Sequence, residues 1–351
     1  MMWLLVAGCV GLLSWWVTGL LAGKGAALGA VDHPNDRSLH QVPTPKMGGL
    51  AIVASGLIGV ILSALALFGR GAEPGDGWGG TPSVLWALGG AGFLAGISFL
   101  DDRKGMPIWF RFACHFLAAC GVVFAGDVRL SVIHVPGWMD VELGWLASPM
   151  TVLFLVWMTN LYNFMDGMDG FAGGMTVLGF GMMAFLFWSG HHTMLFALAL
   201  FQAAAAMGFL LHNFPPAKIF MGDVGSISTG FLAGSLAVLG CQERVFDLWV
   251  PLVIFSPFIL DATATLIRRA LRGDRIWKAH REHYYQRIVL SGWSHRRTVG
   301  MEYGVMACCG LLALLYQGAT DGQRIVILGA WATLFCLLAG FVRKQELSGG
   351  H

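Results

Sequence analysis

Three short segments of this 351-residue sequence gather carboxylates where long apolar runs give way to polar connections. Asp101 and Asp102 are adjacent, and adjacent carboxylates repel unless a cation holds them. A hard divalent ion is one such partner, because it takes oxygen ligands and substrate phosphates together and leaves a neighbouring carboxylate free as a general base. The plainer alternative is a solvated connection neutralised by Arg103 and Lys104. The second segment, Asn160-Leu-Tyr-Asn163-Phe-Met-Asp166-Gly-Met-Asp169-Gly170, spaces two carboxylates so that one helical turn sets both on the same face. Its glycines let backbone approach a ligand closely. The third segment runs from Asn213 through Lys218 to Gly222-Asp223-Val-Gly225-Ser226, where Asp223 stands beside the free N–H groups of a helix start. A capping turn with a stray lysine is the competing reading.

Basic groups accompany them. Ala279-His280-Arg281-Glu282-His283-Tyr-Tyr-Gln-Arg287 brings His280, His283 and Arg287 to one face if the segment is helical. The histidine spacing could suit zinc, but the surrounding arginines repel a cation and favour phosphate or pyrophosphate. Asp32-His-Pro-Asn-Asp-Arg37-Ser-Leu-His40 and Pro43-Thr-Pro-Lys46 place further cations on a stiff turn, where anionic lipid headgroups are an alternative partner. Asp261 lies seven residues inside Arg268 and is read as its ion-pair partner in preference to a lining group of the site.

These residues must be positioned by a membrane-embedded scaffold. The chain is 56% apolar and 12% charged with mean hydropathy +0.67, and a soluble domain carries about 25% charged residues. Apolar runs long enough to cross hydrocarbon recur about eleven times (10–11). They fall near 3–22, 47–69, 83–100, 109–126, 148–164, 171–189, 193–212, 226–240, 248–268, 299–317 and 323–342, the 226–240 run being the shortest. Lys and Arg concentrate in the odd-numbered connections and the C-terminal tail. Only Arg70, Arg129, Arg244 and Arg324 occupy the even ones, and Arg111 sits at a helix start. The positive-inside rule then predicts an all-α integral membrane protein with its N-terminus outside, its C-terminus cytoplasmic and its site in cytoplasmic loops. The uncharged Met1-Met2-Trp3 start argues for an anchor over a cleaved signal peptide. The seven cysteines fall almost wholly in apolar spans without metal-ligand spacing and read as packing residues. Residues 129–135 followed by Pro136-Gly137 predict a short hairpin strand on the outer side. With no linker and no internal repeat, residues 1–351 read as one polytopic domain.

Taken in order, Asp32-x-Pro34-x-x-Arg37-x-x-His40, Asp101-Asp102, Asn163-x-x-Asp166-Gly-x-Asp169-Gly, Pro216-Ala-Lys-Ile-Phe-Met-Gly-Asp223-x-Gly-Ser226 and the histidine motif resemble one known set. It is that of the polyprenyl-phosphate N-acetylhexosamine-1-phosphate transferases, the superfamily that includes the phospho-N-acetylmuramoyl-pentapeptide transferase. The resemblance covers roughly residues 30–300. It implies Mg²⁺-dependent (or Mn²⁺-dependent) attack of undecaprenyl or another polyprenyl phosphate on the β-phosphate of a UDP-sugar, releasing UMP. It further implies a multi-pass protein of the bacterial inner membrane, an early step of O-antigen or other envelope-glycan synthesis, no nucleic-acid partner, and leaves a homodimer open.

By position, Asp223 resembles the family's metal ligand, with Asn163 beside it, and Asp101 its candidate base, with Asp102 alongside. Asp166 and Asp169 match the catalytic loop. Arg37, His40, Lys46, Asn163, Asn213, Lys218, His280, His283 and Arg287 match positions close to substrate or phosphate. The His-x-x-His form lacks three consecutive histidines, which argues against a peptide-bearing substrate and for a UDP-N-acetylhexosamine (GlcNAc or GalNAc) or a 6-deoxy relative such as UDP-N-acetylfucosamine. The rivals are a secondary transporter, which predicts paired halves with midplane charges, and a CDP-alcohol phosphotransferase. The latter's Ala-Arg sequence and later aspartate pair are missing here.

Overall fold

The computed structural model describes residues 1–24, 31–34, 39, 41–68, 82–275 and 280–348. Among the described residues ten helices are long and apolar enough to span a membrane. They are α1 (Met2–Lys24), α2 (Gly48–Phe68), α3 (Pro82–Lys104), α4 (Ile108–Cys120, prolonged by a wider turn Gly121–Ala125), α5 (Ala147–Phe164), α6 (Phe171–Ser189), α7 (Thr193–Asn213), α8 (Gly222–Gln242), α12 (His295–Gln317) and α13 (Asp321–Ser348). Between α8 and α12 lie α9 (Trp249–Ile254), α10 (Ser256–Leu271) and the short α11 (Tyr284–Leu290). Two two-stranded ladders, β1 (Val31–Asp32) with β2 (Thr44–Pro45) and β3 (Val132–His134) with β4 (Asp140–Glu142), and a 3₁₀ turn at Gly144–Leu146 complete the described elements. The second is the hairpin expected from the 129–135 run, in the register Ile133↔Val141.

The run expected as one span near 248–268 is two helices that break at Phe255. Pro257 has no N–H and its ring crowds the carbonyl of Val253, so a continuous helix cannot form there. The freed carbonyl of Val253 accepts from the Ser256 hydroxyl at 2.7 Å.

The shortest run in the sequence is the centre of the bundle. The α8 helix has 94% of its apolar window buried and packs on α2, α3 and α5. Its small and hydroxylated residues explain both facts. Gly225, Ser226, Ser228, Thr229, Gly230 and Ser235 depress hydropathy, yet they let neighbouring backbones come close. Ser228 and Ser235 return their hydroxyls to carbonyls of their own helix, satisfying polar groups that hydrocarbon would punish. At the other extreme only 6% of the window of α13 is buried. It rests on α11 and α12 at the bundle edge.

Because successive spans alternate in direction, the charged residues sort to two ends. At one end Arg129 pairs with Asp127, His134 with Asp140 and Asp321, and Arg324 with Asp321 and Asp247. The other end holds Asp101, Asp102, Asp166, Asp169 and Asp223. All seven cysteines are free.

Candidate active site

The N-termini of α2 and α8 cross with their backbones touching. Gly48 and Gly49 donate to the carbonyls of Phe220 and Met221 at 2.9 and 2.8 Å, and the Phe220 N–H returns to Pro45 at 2.7 Å. A β-carbon on Gly49 would lie 2.2 Å from the Gly225 nitrogen, and one on Gly222, whose φ is +70°, would lie 2.3 Å from the Lys46 carbonyl oxygen. Glycine is thus required at both positions, and the crossing sets Lys46 and Asp223 at one cavity wall.

Around this crossing runs a chain of charge-assisted bonds. Lys46 Nζ reaches Asp102 Oδ1 at 2.6 Å. Arg111, in the first turn of α4, bridges Asp101 at 3.1 Å and Asp223 at 3.4 Å. Asn163 at the end of α5 donates to Asp223 at 2.9 Å and to Ser226 at 3.0 Å. Asp101 also accepts the Met106 N–H after Gly105, at φ +65°, closes α3. The dipeptide Asp101-Asp102 is therefore neutralised by Arg111 and Lys46; Phe99 carries the Arg103 guanidinium 4.5 Å above its ring.

The turn between α5 and α6 separates its two carboxylates. Asp169 accepts the Ala217 N–H at 3.1 Å and lies 3.4 Å from His295 Nδ1. Burial works against its charge, but the His295 and Ala217 donors prevail and hold its carboxyl below the ordinary range. Asn213 locks the same turn, accepting from Gly170 N–H at 2.9 Å and donating to Ile219 at 2.8 Å. Tyr303 donates to the Gly170 carbonyl at 2.7 Å. Asp166 instead opens on a cavity of about 300 Å³ lined also by Asp32, Lys46, Asn163, Asp169, Asn213, Asp223, Gln286 and His295. Although one face is open, Asp166 is otherwise enclosed. Burial, then the carboxylates of Asp223 and Asp32, push it well above the ordinary range against the Gly222 N–H. Lys46 is raised despite its burial, by the Asp102 hydrogen bond and the charges of Asp102, Asp223 and Asp32.

The remaining predicted residues stand apart from this cavity. Residues 280–283 are not helical, so His280, His283 and Arg287 do not share a helical face. Buried His283 meets Asp261 at 3.1 Å, and Asp261 also accepts the first N–H groups of α11, from Tyr284 at 2.9 Å and Tyr285 at 3.2 Å. Asp261 is thus the anchor of α11 and not the expected partner of Arg268; a carboxylate is favoured at a helix N-terminus. His280 lies against His283, with ring centroids 4.9 Å apart and the planes tilted by 37°. Burial, then the charges of His283 and Arg269, lower its pKa to about 4. Arg287 pairs with Glu346 at 2.5 Å and Lys218 is exposed. Among the described residues this layer reaches the cavity through Gln286 and through Tyr285, whose hydroxyl lies 2.2 Å from where a β-carbon on Gly167 would sit. Arg37 and His40 lie outside the described residues.

Among the described residues four carboxylates line the cavity against one ammonium and one imidazole, a balance that favours a phosphate entering together with a counter-cation. Asp166 and Asp223 fit a magnesium-type ion, which takes one or two carboxylates and completes its shell with water and phosphate oxygens. Among the described residues no three His, Cys, Asp or Glu converge as a dedicated metal cage. Without a divalent cation the raised Asp166 favours acid conditions. Its stabilising effect is complete below the unfolded value of about 3.9 and is lost as pH rises through the higher folded value. In EDTA the thermal midpoint should therefore fall as pH is raised from about 4, the unfolded value, through the higher folded value of Asp166, Mg²⁺ should restore it, and Asp166→Asn should flatten both responses. A wild-type midpoint indifferent to pH and Mg²⁺ would contradict this.

A polytopic bundle that closes such a cavity at one end of its spans is the equipment of an integral-membrane enzyme working on phosphates. Comparison with known proteins supplies the family. The model of glycosyl transferase family 4 matches residues 84–241. The probable undecaprenyl-phosphate N-acetylglucosaminyl 1-phosphate transferase of Bacillus subtilis is 32% identical over 95% of this chain and 87% of its own length. The decaprenyl-phosphate N-acetylglucosaminephosphotransferase of Mycobacterium tuberculosis is 30% identical over 95% and 89%. The phospho-N-acetylmuramoyl-pentapeptide-transferase of Shouchella clausii is 30% identical over 75% and 82%. The chain belongs to glycosyl transferase family 4 and is a sugar-1-phosphate transferase, a membrane phosphotransferase.

Arg111, His295, Gln286 and Tyr303 join the site without having been predicted in it. For Arg111 a signal existed: an arginine inside the first turn of an apolar span is costly unless paired.

Proposed function

We propose that this protein transfers N-acetylglucosamine 1-phosphate from UDP-N-acetylglucosamine to undecaprenyl phosphate, at the cytoplasmic face, with Mg²⁺. The observation that carries this reading is the acidic cavity that Lys46 lines and whose Asp223 is partnered by Arg111 and Asn163. The names of the two N-acetylglucosamine relatives support the sugar and the lipid class. The concentration of Lys and Arg in the connections at the site's end supports its cytoplasmic side, with the N-terminus outside and the C-terminus inside. The product, a polyprenyl-diphosphoryl sugar, starts an envelope glycan such as an O-antigen.

In the reaction an oxygen of the lipid phosphate attacks the β-phosphorus of the nucleotide sugar. The bond from that phosphorus to the oxygen of the UMP α-phosphate breaks, and UMP departs with the electron pair. Asp223, Asp166 and the Asn163 amide would hold the divalent ion, which supplies charge neutralisation on the diphosphate. A lipid phosphate with its second pKa near about 6 is already mostly dianionic at pH 7, so little base assistance is needed. Asp101 and Asp102 then serve mainly to aim Arg111 and Lys46 at the phosphates, with Asp101 available for the residual proton. Asp169 and Asn213 hold the 166–170 turn in place, and Gln286 and His295 face the bound donor.

The test is an assay of purified protein with undecaprenyl phosphate, Mg²⁺ and a panel of UDP-sugars including UDP-N-acetylgalactosamine and UDP-N-acetylfucosamine. UMP and labelled lipid should appear together with UDP-N-acetylglucosamine. A folded protein that yields neither with any UDP-sugar, beside a working control enzyme, would sink the proposal.

A further inference from the structure

Away from the acidic cavity, two other cavities meet at the outer flank formed by α10, α11 and α13. One, of about 380 Å³, is an apolar groove whose walls include Leu260, Ile267, Val305, Phe335 and Val342, with Asp261 and Glu302 the acids among its described residues. The other, of about 500 Å³, lies at the site's end of the bundle and is lined by Arg268, Arg272, Arg281 and Arg287 against Glu282 and Glu346. Tyr284 joins them. Its ring lines the groove and carries Arg287 at 4.9 Å and Arg268 at 5.6 Å from its centroid. Consecutive residues on α10 (Ile267, Arg268) and on α11 (Arg287, Ile288) divide between the two, so the arginines cap the groove where the spans leave hydrocarbon.

The cations are not all answered from within. Arg272 pairs with Asp274 and Glu282, and Arg287 with Glu346. Among the described residues Arg268 and Arg281 form no carboxylate pair. Among the described residues Arg268 donates to the Glu282 carbonyl at 2.7 Å and lies within the field of Glu346, and its buried Nε has no hydrogen-bond partner. A guanidinium pair at a membrane interface above an apolar groove matches a phosphate on a fatty chain, since arginine binds phosphate bidentately and interfacial cations attract anionic lipid.

We infer that this flank binds an anionic phospholipid of the surrounding bilayer, its phosphate between Arg268 and Arg281 and one acyl chain along the groove between α10, α12 and α13. The site is separate from the acidic cavity, and the inference does not depend on the proposed donor or acceptor.

Native mass spectrometry of the intact protein released from phosphatidylglycerol-containing nanodiscs tests it. Wild type should retain one phosphatidylglycerol. The double variant Arg268→Gln/Arg281→Gln should retain at least about tenfold less, each interfacial arginine being worth about 1 kcal/mol. Ala264→Phe, which fills the groove and leaves the arginines intact, should evict the lipid as well. Excess undecaprenyl phosphate should leave it in place. Wild-type retention by either variant would overturn the inference, and so would displacement by undecaprenyl phosphate, which would make the groove a seat for the acceptor.

Discussion

Asp223→Asn should leave a folded, inserted protein whose turnover is at least about a thousandfold below wild type, the scale on which removal of a charge-neutralising group costs phosphoryl transfer. The substitution is nearly isosteric, and its amide oxygen can still accept from Asn163, which now donates to Asp223 at 2.9 Å. What it removes is charge. Arg111 loses one of its two carboxylates, and the cavity loses the carboxylate that sits nearest the α8 N-terminus. Addition of Mg²⁺ should then no longer raise the thermal midpoint. A fall in activity with the Mg²⁺ response intact would instead mean that Asp223 acts through Arg111 alone.

Gly49→Ala should be nearly as damaging by a different route. The added methyl meets the nitrogen and α-carbon of Gly225 at 2.2 and 2.3 Å and the Met221 carbonyl at 2.8 Å. All three are backbone, so no rotamer change relieves them and the α2–α8 crossing must open. A destabilisation of more than about 2 kcal/mol is expected, together with lost activity as Lys46 and Asp223 separate. Gly89→Ala is the control, because a β-carbon there meets nothing within 4 Å. Equal thermal midpoints for the two variants in detergent would show that the crossing is not under this constraint.

The scaffold was legible because hydrocarbon imposes a simple rule on sequence: about 20 apolar residues per span. The rule fails where a helix does not face hydrocarbon. The α8 helix is buried by protein, so it carries Ser226, Ser228 and Thr229 and begins at Gly222-Asp223, and with that polar first turn left out only its 226–240 portion looked like a span. It fails also at Pro257, where backbone chemistry interrupts an apolar run without changing its hydropathy.

The aspartates were legible for a related reason, since acids at membrane depth are costly. Their partners were not. Lys46 meets Asp102 across 56 positions and Arg111 meets Asp223 across 112, and no local pattern reports such pairs. Nor could spacing tell Asp166 from Asp169. That difference comes from His295 and the Ala217 N–H, both brought in by distant segments. The His280-x-x-His283 spacing suggested a shared helical face, but the buried Asp261 draws His283 inward and starts α11 only at Tyr284.

The central claim is that Asp223 and Asp166 hold a divalent ion at which the two substrates' phosphates meet. Electron paramagnetic resonance of Mn²⁺ titrated into the purified protein with UDP-N-acetylglucosamine tests it most directly. Wild type should show one bound ion per chain, and Asp166→Asn/Asp223→Asn should show none while its helical circular dichroism is unchanged. Undiminished Mn²⁺ binding by the folded double variant would contradict the claim.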